Sequence, residues 1–250
     1  MYRRENVTYL YDASFEGFLC CVHESVYARE IPAEIVTQES YIPSFFTPRL
    51  IYTDEKRAAK VYASLESKIS ADAKRLVERV FLSCMEQKEL SILLFLLWAY
   101  REGARAMRFL SHPLLQPLLA ADKYLYNESH LFLEFLRFED VGGALVAVIE
   151  PNNFVLPFLR EHFCSRFAIE NFLIYDKTHG AALIWQDGKA EIRSLDALTL
   201  PPATITETRY RNLWKQFYKT VSIEARENPR GRMTHCAKRY WEHMCEMPRA

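Results

Sequence analysis

Asn171–Arg193 reads NFLIYDKTHGAALIWQDGKAEIR, and this stretch decides the fold class. Three short apolar runs, Asn171–Tyr175, Ala181–Trp185 and Ala190–Arg193, are separated by His179-Gly180 and Asp187-Gly188. Connections this short join antiparallel neighbours, whereas a parallel pair needs a crossover of about a dozen residues or more. Upstream, Phe132–Phe138 and Ala144–Ile149 flank Glu139-Asp140-Val141-Gly142-Gly143, a hairpin signature, and Phe154–Phe163 reads as a short helix. The pattern predicts a central antiparallel β-meander over 131–195.

On either side of the meander the period is helical. Val7–Asp12 is a short β-like run, and Ser14 can cap a helix reaching about Ala28, with Phe15, Phe18, Leu19 and Val22 on one side. Ile31–Arg49 holds three prolines and reads as a loop or extended arm. Asp54 and Ser70 can cap helices to about Ser67 and Cys84. Leu90–Tyr100, LSILLFLLWAY, is apolar all round. It is about half the length of a membrane span and is flanked by Lys88, Glu89, Arg101 and Glu102, so it reads as a central buried helix and no membrane is expected. Helical signal continues from about Pro113 to His130. After the meander, Leu200-Pro201-Pro202 is a linker, a helix runs from Ile205 to Glu227, Asn228-Pro229-Arg230-Gly231 breaks it, and Lys238–Met244 forms a last helix. The expected fold is α+β in one domain of 1–250: 1–130 mostly helical, 131–195 sheet, 205–246 basic-aromatic helices.

Composition bounds the function. The 250 residues are 50% hydrophobic and 14% aromatic, enough for a substantial core. Lys+Arg 32 balance Asp+Glu 32, which excludes a wholly basic nucleic-acid coat and makes any such binding local. MYRRENVTYLYD holds no signal-peptide run, and the six cysteines form no C-x-x-C, so reduced thiols in the cytoplasm are expected.

The local excess lies at the C-terminal end. Residues 207–250 carry ten Lys/Arg against five acids. At about 100° per residue, Arg211, Lys215, Lys219 and Arg226 fall on one side of the helix. Tyr210, Leu213, Trp214, Phe217 and Val221 gather on the other, where they can anchor it to the core. A cationic stripe suits phosphate contacts; an ordinary solvated charged face is the competing reading. Lys238 and Arg239 stand beside Tyr240 and Trp241, rings that can stack on unpaired bases or simply dock the last helix.

A second group is His130, Arg137, His162 and Arg166. In FLRF (Phe135–Phe138), alternation puts Phe135 and Arg137 on one face. His162 and Arg166 are four apart. With Asp176 they can line an anion or nucleotide pocket, or form a structural ion-pair network. His162, His130 and Asp176 are the candidate acids or bases. His235-Cys236 and His243-Met244-Cys245 match no common zinc spacing, and no phosphate-loop, dinucleotide, metalloprotease or nucleophile-elbow motif is present; no metal or cofactor is expected.

Five segments carry a resemblance: YLYDASFEGFL (Tyr9–Leu19), FLRF, P-x-x-x-V-L-P-x-L-x-x-H-F-x-x-R-F (Pro151–Phe167), IYD (Ile174–Asp176) and LWKQFYKTVSIEARENP…KRYW (Leu213–Trp241). They resemble, across nearly the full length and in order, a bacterial family of DNA metabolism or DNA repair proteins that carries a domain of unknown function. Its members look like companions of a radical-SAM protein related to spore photoproduct lyases, and a similar domain precedes some uracil-DNA glycosylases. The chain departs from the pattern at Ala13, where the family usually has Gly, and at Arg232 and Ala237, where it usually has Gln and Pro. The resemblance implies a role in DNA repair and supplies no catalytic residue.

The resulting expectation is a DNA-binding accessory protein that presents unpaired or damaged DNA to a radical-SAM repair enzyme. Arg211, Lys215, Lys219, Arg226, Lys238 and Arg239 would meet phosphates, Tyr240 or Trp241 would stack, and Arg137, His162 and Arg166 would form a second surface. The alternatives are an enzyme acting on a nucleobase or nucleotide, and an interaction adaptor without nucleic-acid contact.

Overall fold

Helix α1 (Phe15–Ala28) starts where the sequence puts it, because Ser14 Oγ accepts a hydrogen bond from the Gly17 amide at 2.9 Å. That bond satisfies one of the amides a helix start leaves unpaired. The structure is a computed structural model and describes residues 2–247; Arg249 of the basic segment lies outside the described residues. The chain divides into two compact units between Leu125 and Tyr126.

In the first unit, strand β1 (Val7–Tyr11) is the centre of a three-stranded parallel sheet. Its neighbours are β2 (Glu34–Thr37) and β3 (Thr47–Leu50). Both lie in the proline-rich stretch expected to be a loop or arm. Pro48 is tolerated because β3 is an edge strand, where a missing amide forfeits no ladder bond on the open side. Past β1, the Asp12 carboxylate accepts from the Ser14 amide (3.0 Å), Ser14 Oγ (2.5 Å) and Thr53 Oγ1 (2.7 Å). Partial burial raises its pKa, but the Ser14 and Thr53 hydrogen bonds outweigh that and hold it below the usual range.

Ala13 makes this turn with φ 65°, in the left-handed region that favours glycine. Ala13→Gly is therefore expected to stabilise the first unit by about 1 kcal/mol; urea denaturation checks it, and an unchanged or lower stability would show that the turn carries no strain.

Helices α2 (Glu55–Ser64) and α3 (Ala71–Phe81) are capped by Asp54 and Ser70, as the sequence predicts. Helix α4 (Lys88–Glu102) is the core of the unit, with Ile92, Leu93, Phe95 and Leu96 fully buried. Tyr11 Oη donates to Glu89 Oε1 at 2.8 Å, tying the sheet to the start of α4. Burial and then the Glu89 charge push the Tyr11 phenol up, so it stays a neutral donor. No helix among the described residues is long and apolar enough to cross a membrane.

Helix α5 (Gln116–Phe135) contains the division between the units. It absorbs Phe132–Phe135, which the sequence reading placed in a strand, and Leu136–Phe138 is irregular. Each residue added to a helix this long gains a hydrogen bond at once, and Leu136 N still donates to Phe132 O at 3.1 Å. The alternation argument for Phe135 and Arg137 does not apply.

The second unit holds a five-stranded sheet in the order β8-β7-β6-β5-β4. The strands are β4 (Glu139–Val141), β5 (Ala144–Ile149), β6 (Phe172–Asp176), β7 (Ala181–Gln186) and β8 (Lys189–Ser194). The three short connections make antiparallel pairs as expected. Asp187 (φ 50°) and Gly188 (φ 75°) form the two-residue turn between β7 and β8. The meander reading fails at one junction: β5 and β6 pair parallel. Their connection carries helix α6 (Leu156–Arg166) and is long enough for a crossover, which returns the chain in the same direction. The sheet is mixed and the fold α+β.

Helix α7 (Ile205–Val221) ends six residues before Glu227. Asn228-Pro229 opens helix α8 (Pro229–His235), where Asn228 Oδ1 accepts from Gly231 N at 2.8 Å. Lys238–His243 is a 3-10 turn rather than an α-helix.

Candidate nucleic-acid interface

Thr204 caps α7 through the Glu207 amide (3.1 Å), and α7 is held by its charged side. Glu207 is buried; Oε2 accepts from the Asp140 amide at 3.1 Å and Oε1 from Arg211 Nε at 2.8 Å. Arg211 reaches on to Glu139 at 2.6 Å. The Glu207 hydrogen bond, despite partial burial, raises its already high pKa. Arg211 is thus a docking residue with its charge compensated twice. The aromatic side expected to dock is exposed instead: Tyr210, Leu213, Phe217 and Val221 face out, and Trp214 is 39% exposed.

Two reciprocal ion pairs fasten the last segment. Arg137 donates through Nε and Nη2 to Glu246 Oε1 (3.1 and 2.8 Å), and Arg239 Nη2 pairs with Glu128 Oε1 at 2.8 Å. Both acid side chains are only 1% exposed. Glu128 also accepts from the amides of Asn152 (3.0 Å) and Asn153 (2.8 Å) and from Asn153 Nδ2 (2.6 Å). Tyr240 and Trp241 are 6% and 8% exposed. Tyr240 meets Phe132 edge-on at 5.1 Å, and Trp241 Nε1 donates to Cys236 O at 2.9 Å. Expected as stacking rings, they are buried and offer no face to a base. Arg239, expected on phosphate, is a lock residue.

The other predicted groups separate. Asp176 is fully buried, accepting from the His179 amide (3.1 Å) and facing His179 Nδ1 (2.7 Å), so it lines no cleft. His162 and Arg166 are exposed on α6, against the rings of Phe163 and Phe167. His130 stacks on Tyr126 and lies 3.4 Å from Glu134. The expected quartet of Arg137, His162, Arg166 and Asp176 is not assembled into one pocket.

Lys215, Lys219, Arg226 and Lys238 are different. All four are exposed, and none makes an ion pair among the described residues. Lys215 and Lys219 share a side of α7. Beside them Arg137, Glu134, Glu139, Arg211, Tyr210 and Trp214 line a groove of about 470 Å³. The Arg137 guanidinium lies 5.7 Å from the centre of the Trp214 ring. Cys245 also borders the groove; burial and then the Glu246 charge raise its pKa, so it is no activated nucleophile.

Glu150, Glu242 and His243 bring three potential metal-ligand atoms within 4.8 Å of one another. Lys177, 2.8 Å from Glu150, already compensates that carboxylate and holds its pKa down. Cys236 packs on Met244, and Cys245 on Glu246. The arrangement is an ion-pair cluster.

The sequence reading missed Tyr210, Trp214 and Phe217 as exposed rings and Glu134 and Glu139 as groove residues. The available signal was the i, i+4 spacing of Glu207 and Arg211, which can dock a helix through its charged side.

The fold and this surface define an α+β protein whose C-terminal segment is locked by ion pairs to two buried carboxylates and edged by exposed cations without ion-pair partners among the described residues. A family model matches residues 86–246, and the chain belongs to that family, described as a domain of unknown function, DUF4130. No curated protein and no solved structure matches the chain.

Proposed function

We propose that the chain is a DNA-binding accessory protein of DNA repair or metabolism, acting beside a radical-SAM repair enzyme. The resemblance described above supports the repair context and the partner. The observation that carries DNA binding is the set Lys215, Lys219, Arg226 and Lys238, exposed and without carboxylate partners among the described residues, next to the exposed rings of Tyr210, Trp214 and Phe217. Unpaired cations release counterions on meeting phosphates, and exposed rings give bases a stacking platform.

If the four cations each meet a phosphate, affinity for single-stranded DNA falls roughly fiftyfold between about 50 and 200 mM salt. Reversing all four to Glu should abolish binding and leave the fold intact, because none contributes to the locks. A salt-titrated anisotropy assay on single-stranded, duplex and lesion-containing DNA tests this. No binding at low salt, or undiminished binding by the reversed variant, refutes the reading.

One observation favours the adaptor alternative: the apolar strip of Leu213, Phe217 and Val221 on α7 is uncovered. Co-purification with the radical-SAM enzyme that survives nuclease treatment and charge reversal would support it.

A further inference from the structure

We propose that the groove beside α7 receives an unpaired nucleobase and prefers guanine; this deepens, and rests on, the DNA-binding reading above. The groove is not the phosphate site, although it opens in the most basic segment of the chain. Its two guanidiniums, Arg137 and Arg211, are already compensated by Glu246, Glu207 and Glu139. Glu134 adds a further carboxylate in the last turn of α5. The groove therefore carries surplus acceptors and repels a phosphate. The uncompensated Lys215 and Lys219 follow Trp214 on the same helix, outside the groove lining. A nucleotide is oriented by this contrast: phosphate to the lysines, base inward.

Trp214 supplies the stacking surface. Its ring is fixed by Arg137 at 5.7 Å and by Phe217 at 5.7 Å, yet remains partly exposed. A base held there meets Glu134, whose side chain is 52% exposed and whose carboxylate lies 3.4 Å from His130 Nε2. A carboxylate only accepts hydrogen bonds. Guanine alone among the four bases places two N–H donors side by side, the ring N1–H and the 2-amino group, matching the two carboxylate oxygens. Adenine and cytosine set one amino group beside a ring acceptor, and thymine sets one N–H between two carbonyls; these acceptors face the carboxylate unfavourably.

The test measures full-length chain against a twelve-nucleotide oligo-dT and the same oligonucleotide with one central dG, dA or dC. A single dG should bind about tenfold more tightly than the others, the range of one bidentate base contact. Glu134→Gln should erase that preference, and Trp214→Ala should weaken all four about tenfold. Guanosine, which carries no phosphate, probes the groove independently by calorimetry. Equal affinity for all four oligonucleotides, or a dG preference that survives Glu134→Gln, overturns the base pocket and leaves DNA binding standing. Guanosine binding lost in Glu134→Gln, with no oligonucleotide bound at low salt, keeps the pocket and overturns the DNA reading. Absence of both kinds of binding overturns both.

Discussion

Replacing Glu128 by Ala should cost about 3–5 kcal/mol, among the largest losses any single substitution in the second unit can produce. Glu128 is the hub of the C-terminal lock: its buried carboxylate pairs with Arg239 and accepts three N–H bonds from Asn152 and Asn153. Removing it takes away the acceptor shared by the Asn152 and Asn153 amides and Asn153 Nδ2, at about 1–3 kcal/mol for each group left unsatisfied. It also leaves Arg239 without its carboxylate. The converse substitution is milder. Arg239→Ala leaves Glu128 with its three N–H donors, and Arg239 itself is partly exposed, so its head group can be solvated in other contexts. The order Glu128→Ala worse than Arg239→Ala therefore distinguishes a hydrogen-bond hub from a simple ion pair. Urea denaturation gives the magnitudes, and limited proteolysis after Arg230 or Arg232 reports whether the last segment is released. Equal small losses for both variants would mean that the segment is held by the Arg137–Glu246 pair and by the packing of Tyr240 and Trp241 instead.

That lock explains why the tail was only half legible in the sequence. Its charge excess and its place in the fold could be read directly, because counting and helical spacing need no partner. Which side of α7 docks could not, because the decision is made by Asp140 N and Glu139, near in space and about 70 residues away in sequence. An apolar stripe normally turns inward, and here a buried Glu207 competes successfully for the interior position. The same limit applies to Arg239 and Tyr240-Trp241: adjacent basic and aromatic residues suit either a nucleic acid or a carboxylate and a pocket, and Glu128 and Phe132 decide for the latter. In the sheet, the short turns of 171–193 encode their own pairing, whereas the parallel β5–β6 ladder depends on what the intervening helix packs against. The strands β2 and β3 were hidden by their brevity and by Pro48, since four residues carry almost no periodicity.

Phe95→Ala is expected to destabilise the first unit by about 3–5 kcal/mol. Helix α4 is buried on nearly every side, and at Phe95 the side chain is wholly enclosed in the same core as Ile92 and Leu96, with the Trp98 ring centre 6.1 Å away. Truncation removes a large apolar transfer free energy and leaves a void that neighbours in regular helices cannot close without moving backbone. Phe95→Leu keeps most of the volume and should cost well under half as much. Because α4 anchors Tyr11 through Glu89, the damage should extend to the parallel sheet: hydrogen exchange of the β1 amides in Val7–Tyr11 should accelerate in Phe95→Ala. The two-unit architecture makes a sharper demand. Exchange of the β6 and β7 amides, which belong to the second unit, should stay near wild type under conditions where β1 is already opening. Uniform acceleration across both sheets would instead show that the chain unfolds as one cooperative block, with the Leu125–Tyr126 division carrying no energetic meaning.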